Sequence, residues 1–197
     1  MSAAIMSWIY FLISKVGIFL LVVILYFLYA SLIKKKNKVK EAMSGIDVQL
    51  KKRYDLIPNM LNMAKKFMEH EKGLMTEIVR LRTEAMKKSF NGSPKEMMDL
   101  DNLIDSKLKE FWVSVENYPD LKSNQTMVQA MQSFNEVEEH IAAARRFYNS
   151  SVNDLKNAVE IFPGNVLALM LGIKADMPFF EAESAAKDRI DAKEFFY

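Results

Sequence analysis

Eighteen consecutive residues, Val16 to Ile33, carry no charge, and Lys34, Lys35, Lys36, Lys38 and Lys40 follow at once. At ~1.5 Å of rise per residue, a helix of about 20 apolar residues crosses the ~30 Å hydrocarbon core of a bilayer. The run predicts a transmembrane helix whose lysine-bearing end faces water.

Lys and Arg close to a span are retained on the cytoplasmic side. Only Lys15 precedes the span, so the bias predicts an outside N-terminus and residues 34–197 in the cytoplasm. A signal peptide has its positive charge before the apolar core and small residues after it. Lys15 and Ala30-Ser31 imitate that pattern weakly, and the lysine cluster instead reads as a stop to translocation, hence an uncleaved anchor. Trp8 and Tyr10 suit the outer interface, and Tyr26 and Tyr29 the inner one. Because Ala3 to Ser14 is also apolar, the stretch exceeds an untilted span, and it tilts or bends into an interfacial segment. Lys15 then either snorkels to the outer interface or faces neighbouring spans in an oligomer.

The formal charge of +2 is unevenly spread: residues 34–53 carry +6 and residues 54–197 carry −5. A juxtamembrane basic cluster gains about 1 kcal/mol per residue from an anionic leaflet. Lys34, Lys35, Lys36, Lys38 and Lys40 are therefore candidate membrane-surface contacts, with an anionic lipid bilayer as partner. The acidic distal part carries no nucleic-acid motif, which argues against that partner. The absence of cysteine excludes disulfides and thiol chemistry.

The remaining residues suffice for one domain with a real core. Strand signals are nearly absent, and breakers cluster at Asn91-Gly92-Ser93-Pro94, Tyr118-Pro119-Asp120 and Pro163-Gly164. Ser93-Pro94-Lys95-Glu96 has the form of a capping box with proline at the first helical position, predicting a helix over 94–117. Met97, Asp101, Ile104, Leu108, Phe111, Val115 and Tyr118 alternate in steps of four and three. A segment beginning near Ser123 or Asn124 repeats this through Met127, Met131, Phe134, Glu138, Ile141, Arg145, Tyr148, Val152, Leu155, Val159 and Phe162. The first segment does so through Val39, Met43, Ile46, Leu50, Arg53 and Ile57, then Leu61, Ala64 and Met68, with Pro58 expected to kink it. A sustained 3.5-residue repeat places long helices along common seams. The predicted fold is all-α, with the transmembrane helix continuing into an antiparallel up-and-down bundle. The expected parts are a tail and span over 1–33, a bundle over 34–172 and a C-terminal tail over 173–197. Methionines on the seams suggest an adaptable core.

Catalytic and metal signatures are weak. Carboxylate-bridged metal sites need Glu three residues before His, but Val137 precedes His140 and Phe67 precedes His70. His70-Glu71 could open a zinc-protease motif, but Leu74 stands where a second His is needed. No Gly-rich phosphate loop occurs, so neither a metal, a cofactor nor an enzymatic activity is expected.

Arg53, Glu138 and Arg145 occupy apolar seam positions, where charge is costly unless paired. They form a buried polar network, emerge at the seam edge with only their stems buried, or make a ligand or subunit contact. Asp47, Asp55 and Asn59 lie near this patch in sequence. The tail Asp176-Met177-Pro178-Phe179-Phe180-Glu181-Ala182-Glu183 either packs on the bundle or docks on a partner or subunit. Phe179, Phe180 and Glu183 are the docking candidates, with Phe195, Phe196 and Tyr197 as further anchors.

The chain resembles the bacterial LemA family through segments that span most of its length in the expected order. They are Ser44-Gly45-Ile46-Asp47-Val48-Gln49-Leu50-Lys51, Asp55-Leu56-Ile57-Pro58-Asn59, His70-Glu71, Tyr118-Pro119-Asp120-Leu121-Lys122, Ala144-Arg145-Arg146-Phe147-Tyr148-Asn149 and Pro178-Phe179-Phe180-Glu181-Ala182-Glu183. The resemblance implies one N-terminal membrane helix, a short outside tail and a cytoplasmic antiparallel bundle at the bacterial inner membrane. It implies no enzymatic reaction, and some family members are implicated in membrane organisation and biogenesis. The chain departs from the family at Leu155-Lys156, where a second Tyr-Asn is usual, and at Glu139-His140, where Asn-Arg is usual.

Two functions are expected to compete. One is a membrane-anchored, self-associating helical scaffold that organises the inner membrane or proteins on it. The other is an adaptor or signalling subunit that recruits another membrane protein complex through its bundle or Phe-rich tail.

Overall fold

The computed structural model describes residues 2–88 and 93–180, and all its regular elements are helices. In chain order they are α1 (Ser2–Ala64), α2 (Lys72–Ala85), α3 (Pro94–Val115), α4 (Pro119–Lys122), α5 (Gln125–Glu160) and α6 (Gly164–Leu171). The all-α class expected from periodicity is observed. Glu183, Phe195, Phe196 and Tyr197 lie outside the described residues.

Helix α1 contains both the uncharged run and the lysines that follow it. It also runs on through Pro58 for six more residues. A proline inside a helix lacks the N–H that would bond the carbonyl four residues earlier, here that of Tyr54. Arg82 Nε, from α2, donates to this carbonyl at 2.6 Å. A tertiary donor thus replaces the missing helical one, and α1 stays helical across Pro58.

Helix α3 begins at Pro94 as predicted, but Ser93 makes no side-chain cap bond. The Glu96 carboxylate is engaged by Lys88 Nζ at 3.0 Å. Helix α3 stops at Val115, two residues short of the expected end. Asn124 starts α5, its Oδ1 accepting from the amides of Thr126 at 3.0 Å and Met127 at 3.3 Å. Helix α5 ends at Glu160, so the heptad pattern stops before Phe162, which is exposed.

Packing separates two units, one comprising residues up to Ala42 with Ser150–Asp176, the other Met43–Asn149 with the chain from Met177. In the second unit, the seams of α1, α3 and α5 supply the core: Met43, Ile46, Leu50, Ile57 and Leu61, Met97, Ile104, Leu108 and Phe111, and Met127, Phe134, Ile141 and Tyr148 are buried. Cross-helix pairs are nested, as antiparallel neighbours require. Tyr118 Oη reaches Glu71 at 2.7 Å while Lys88 pairs with Glu96. Arg145 pairs with Asp101, and the Trp112 and Phe134 rings lie 5.5 Å apart.

In the first unit, Leu32, Val39, Ala42, Ser151, Val152 and Leu155 are buried. The apolar run of α1 before Leu28 is not: Phe19, Leu20, Leu21, Ile24, Tyr26 and Phe27 are all exposed. A helix that is apolar all round and uncovered by its own chain fits a membrane protein rather than a soluble core. It is the one helix among the described residues long and apolar enough to cross a bilayer.

Candidate functional site: a buried charge network

Three helices bring five charges together in the second unit. Arg53 comes from α1, Asp101 and Asp105 from α3, and Glu138 and Arg145 from α5. Asp101 and Asp105 are one helical turn apart and face the same way, while Glu138 and Arg145 are one heptad apart on the α5 seam.

Each aspartate bridges both guanidinium groups. Arg53 donates through Nη2 to Asp101 and through Nη1 to Asp105. Arg145 Nη2 donates to the other oxygens of the same carboxylates, Asp101 Oδ2 and, at 3.1 Å, Asp105 Oδ2. Arg53 Nη1 also reaches Glu138 Oε1 at 3.4 Å. The Arg53 and Asp101 side chains are fully buried, and Glu138 lies nearest water.

Burial alone lowers the Arg53 pKa, but the fields of Asp101, Asp105 and Glu138 outweigh it and hold the guanidinium above its ordinary range. The same balance, with Asp101 and Asp105, raises Arg145. Glu138 is the surplus anion of a two-cation, three-anion cluster. Burial raises its pKa first, with Asp105 adding to the rise and Arg53 opposing it. Tyr54 is pushed up to about 12 by burial and then by Asp101.

The Nε atoms of Arg53 and Arg145 have no hydrogen-bond acceptor among the described residues. Both guanidinium groups instead lie over aromatic rings, Arg53 Cζ 5.5 Å from the Tyr54 centroid and Arg145 Cζ 5.4 Å from that of Phe180. Phe180 is held firmly. Asn149 Nδ2 donates to its carbonyl at 2.8 Å, its amide donates to Asn149 Oδ1 at 2.9 Å, and its ring meets Tyr148 edge-on at 5.5 Å. Tyr148 Oη also donates to the Pro178 carbonyl at 3.0 Å. The tail over 177–180 is thus packed on the bundle, with Phe180 engaged and Phe179 left 40% exposed.

The structure brings Arg53, Glu138 and Arg145 into one cluster whose central anions are Asp101 and Asp105. Spacing puts Asp101 on the seam without marking it as a site, and it misses Asp105. The available signal was two carboxylates four residues apart along an otherwise apolar helix face. The exposed Asp55 is not among the partners of either arginine.

Such an arrangement can fix helix register, since pairing both guanidiniums with both aspartates requires all three helices in one alignment. Of the juxtamembrane lysines, Lys34 and Lys40 are exposed, Lys35 Nζ donates to the Asp154 carbonyl at 3.3 Å and Lys38 pairs with its carboxylate at 3.1 Å. Beside Pro58, α1 and α2 line a groove of about 650 Å³, walled by Pro58, Leu61, Met75 and Val79 and bordered by Lys65, Lys72 and Arg82.

Residues 42–193 match the LemA family. Over 191 residues the chain is 24% identical to Protein LemA of Metamycoplasma hominis, covering 95% of this chain and 83% of that one. It is also 28% identical over 105 residues to the magnetosome proteins MamQ 1 and MamQ 2 of Paramagnetospirillum magneticum, covering 53% of this chain and 38% of each relative. The family match extends over the α1 seam from Ala42, all of α2 to α6 and the Pro178-Phe179-Phe180 segment. The chain belongs to the LemA family.

Proposed function

We propose that this protein is a non-catalytic, membrane-anchored helical scaffold that self-associates and organises the inner membrane or proteins on it. The observation that carries the reading is the apolar run of α1, whose side chains over Val16 to Phe27 are exposed around the helix. Only lipid or the spans of neighbouring copies can cover such a surface without exposing apolar area to water. Lys34 and Lys40, exposed at its end, suit attraction to anionic lipid, with the N-terminus outside and the bundle in the cytoplasm. The buried network gives the bundle a fixed register, as a subunit presenting a repeated surface needs. Similarity to proteins named for the magnetosome is compatible with this role.

The test is the particle mass of the full-length protein in mild detergent or lipid nanodiscs, beside a version beginning at Lys34. A large regular assembly that collapses without the span is the expected result; a monomer or dimer in both refutes self-association.

A second reading, an adaptor that recruits another membrane protein, is favoured by the groove beside Pro58. Its apolar walls and cationic border suit an acidic amphipathic helix of a partner. A stable heteromeric complex lost on Met75→Glu, with Phe179→Ala as a second probe, would support it over the scaffold.

A further inference from the structure

Thirteen residues, Ile161 to Ile173, contain no charged side chain and follow the charged end of α5 at Lys156 and Glu160. An apolar stretch of about 10–14 residues is too short to span a bilayer, and suits a core helix or an interfacial or re-entrant segment. A core helix is excluded here. Phe162 is 77% exposed, Leu169 84% and Met170 78%, with Ile161, Val166 and Leu171 also exposed. Soluble surfaces rarely leave so contiguous an apolar patch uncovered.

Its position identifies what covers it. This segment and the start of α1 belong to the same packed unit. Leu28, Ser31 and Leu32, from the last turns of the apolar run, line a cavity of about 240 Å³ with Ile161, Phe162 and Pro163. Asp154, farther back along α5, meets Lys35 and Lys38. On α1 the change from uncharged to charged falls between Ile33 and Lys34; on the neighbouring chain it falls between Glu160 and Ile161. Two separate stretches of chain thus lose their charges at the same level of one packed unit.

The backbone is also suited to lipid, where polar groups need internal partners. Asn165 N donates to the Ile161 carbonyl at 3.1 Å, and Asn165 Oδ1 accepts from Val166 N at 2.8 Å. At the far end Gly172, with φ of 63°, lets its own amide reach Leu169 O at 3.2 Å and that of Ile173 reach Ala168 O at 2.9 Å.

From these observations we infer that residues 161–171 are a second membrane contact. They dip into the leaflet on the lysine side of the span, with Phe162, Leu169 and Met170 among the acyl chains. The inference rests on the membrane reading of α1 and extends it: the chain is held in the bilayer at two places, one before and one after the bundle. The occupant of the patch is lipid rather than a second copy, because the patch adjoins the exposed apolar run of α1, whose last turns, Leu28 to Leu32, line the same cavity as Ile161 and Phe162.

The chain lacks cysteine, so single-cysteine variants of the full-length protein report one site each. Leu169→Cys and Met170→Cys, labelled with an environment-sensitive fluorophore, are reconstituted in phosphatidylcholine–phosphatidylglycerol vesicles containing lipids nitroxide-labelled on the acyl chain. Phe27→Cys serves as the in-membrane reference and Val113→Cys, exposed on α3, as the aqueous one. Quenching at 169 and 170 comparable to that at 27, with none at 113, is expected. Labels at 169 and 170 that behave like 113 while 27 is quenched overturn the second contact alone; an unquenched 27 overturns the membrane reading itself. Labels shielded from both water and nitroxide, and exposed again at one chain per nanodisc, assign the patch to a second copy and also overturn the proposal.

Discussion

Arg82 Nε donates to the Tyr54 carbonyl at 2.6 Å, the acceptor that Pro58 deprives of its helical donor. A proline on one helix and an arginine on the next therefore form a single device. Arg82→Met leaves a partly buried carbonyl unsatisfied and should destabilise the bundle by about 1–3 kcal/mol. In a Pro58→Ala background the substituted residue brings back a backbone amide that bonds this carbonyl, so the same Arg82→Met change should cost clearly less. Denaturant unfolding of the four-member cycle measures the coupling, and equal costs in both backgrounds would disprove it.

Arg53→Met strands Asp101 and Asp105 beside one remaining cation. Breaking a buried pair by removing one partner costs about 3–5 kcal/mol, whereas replacing a pair by packed apolar residues is often neutral. Arg53→Met with Asp101→Leu, which leaves Arg145 paired with Asp105, should therefore be more stable than Arg53→Met alone. Thermal unfolding of the parent and these two variants decides the order.

Glu138 gives the network its pH dependence. Its folded pKa is raised above the ordinary 4.5, so the folded state holds the proton more tightly than the unfolded chain does. Its contribution to stability is fully present below the unfolded value and is lost as the pH rises through the raised folded value. Glu138→Gln keeps an acceptor for Arg53 and leaves two cations facing two anions. The variant should lack this loss on the alkaline side of 4.5 and equal or exceed the parent Tm at pH 7. Parallel Tm profiles for the two proteins would refute the assignment.

Asn149 holds the tail segment through two hydrogen bonds to the Phe180 backbone. At about 0.5–1.5 kcal/mol net for each bond, Asn149→Ala should cost about 1–3 kcal/mol. Hydrogen exchange at the Phe180 amide should accelerate in step, and the Phe180 ring should leave Arg145. Unchanged protection of that amide would show that Tyr148 and ring packing suffice.

The seams were readable because helical periodicity is a local property. Val39, Ile46, Leu50 and Ile57 on α1, and Ile104, Leu108 and Phe111 on α3, are buried where the spacing put them. Exceptions have local causes: Phe162 lies beyond the end of α5, and Met131 sits at the edge of the seam. Asp105 stood outside the seam pattern, and its role exists only because α1 and α5 both present arginines to that face of α3. Arg82 gave no periodic signal, since its acceptor is created by a proline on another helix.

The sequence by itself determined that the chain is helical, where it is apolar enough to enter a membrane, and which face of each long helix turns inward. Those are properties of residues a few positions apart, set by side-chain spacing and the absence of charge over eighteen residues. Tertiary structure alone decided which carboxylates neutralise Arg53 and Arg145, which donor replaces the amide missing at Pro58, and that residues 161–171 lie uncovered beside the end of the apolar run. Each of these depends on which helices become neighbours, and a charge or carbonyl finds its partner through space rather than along the chain.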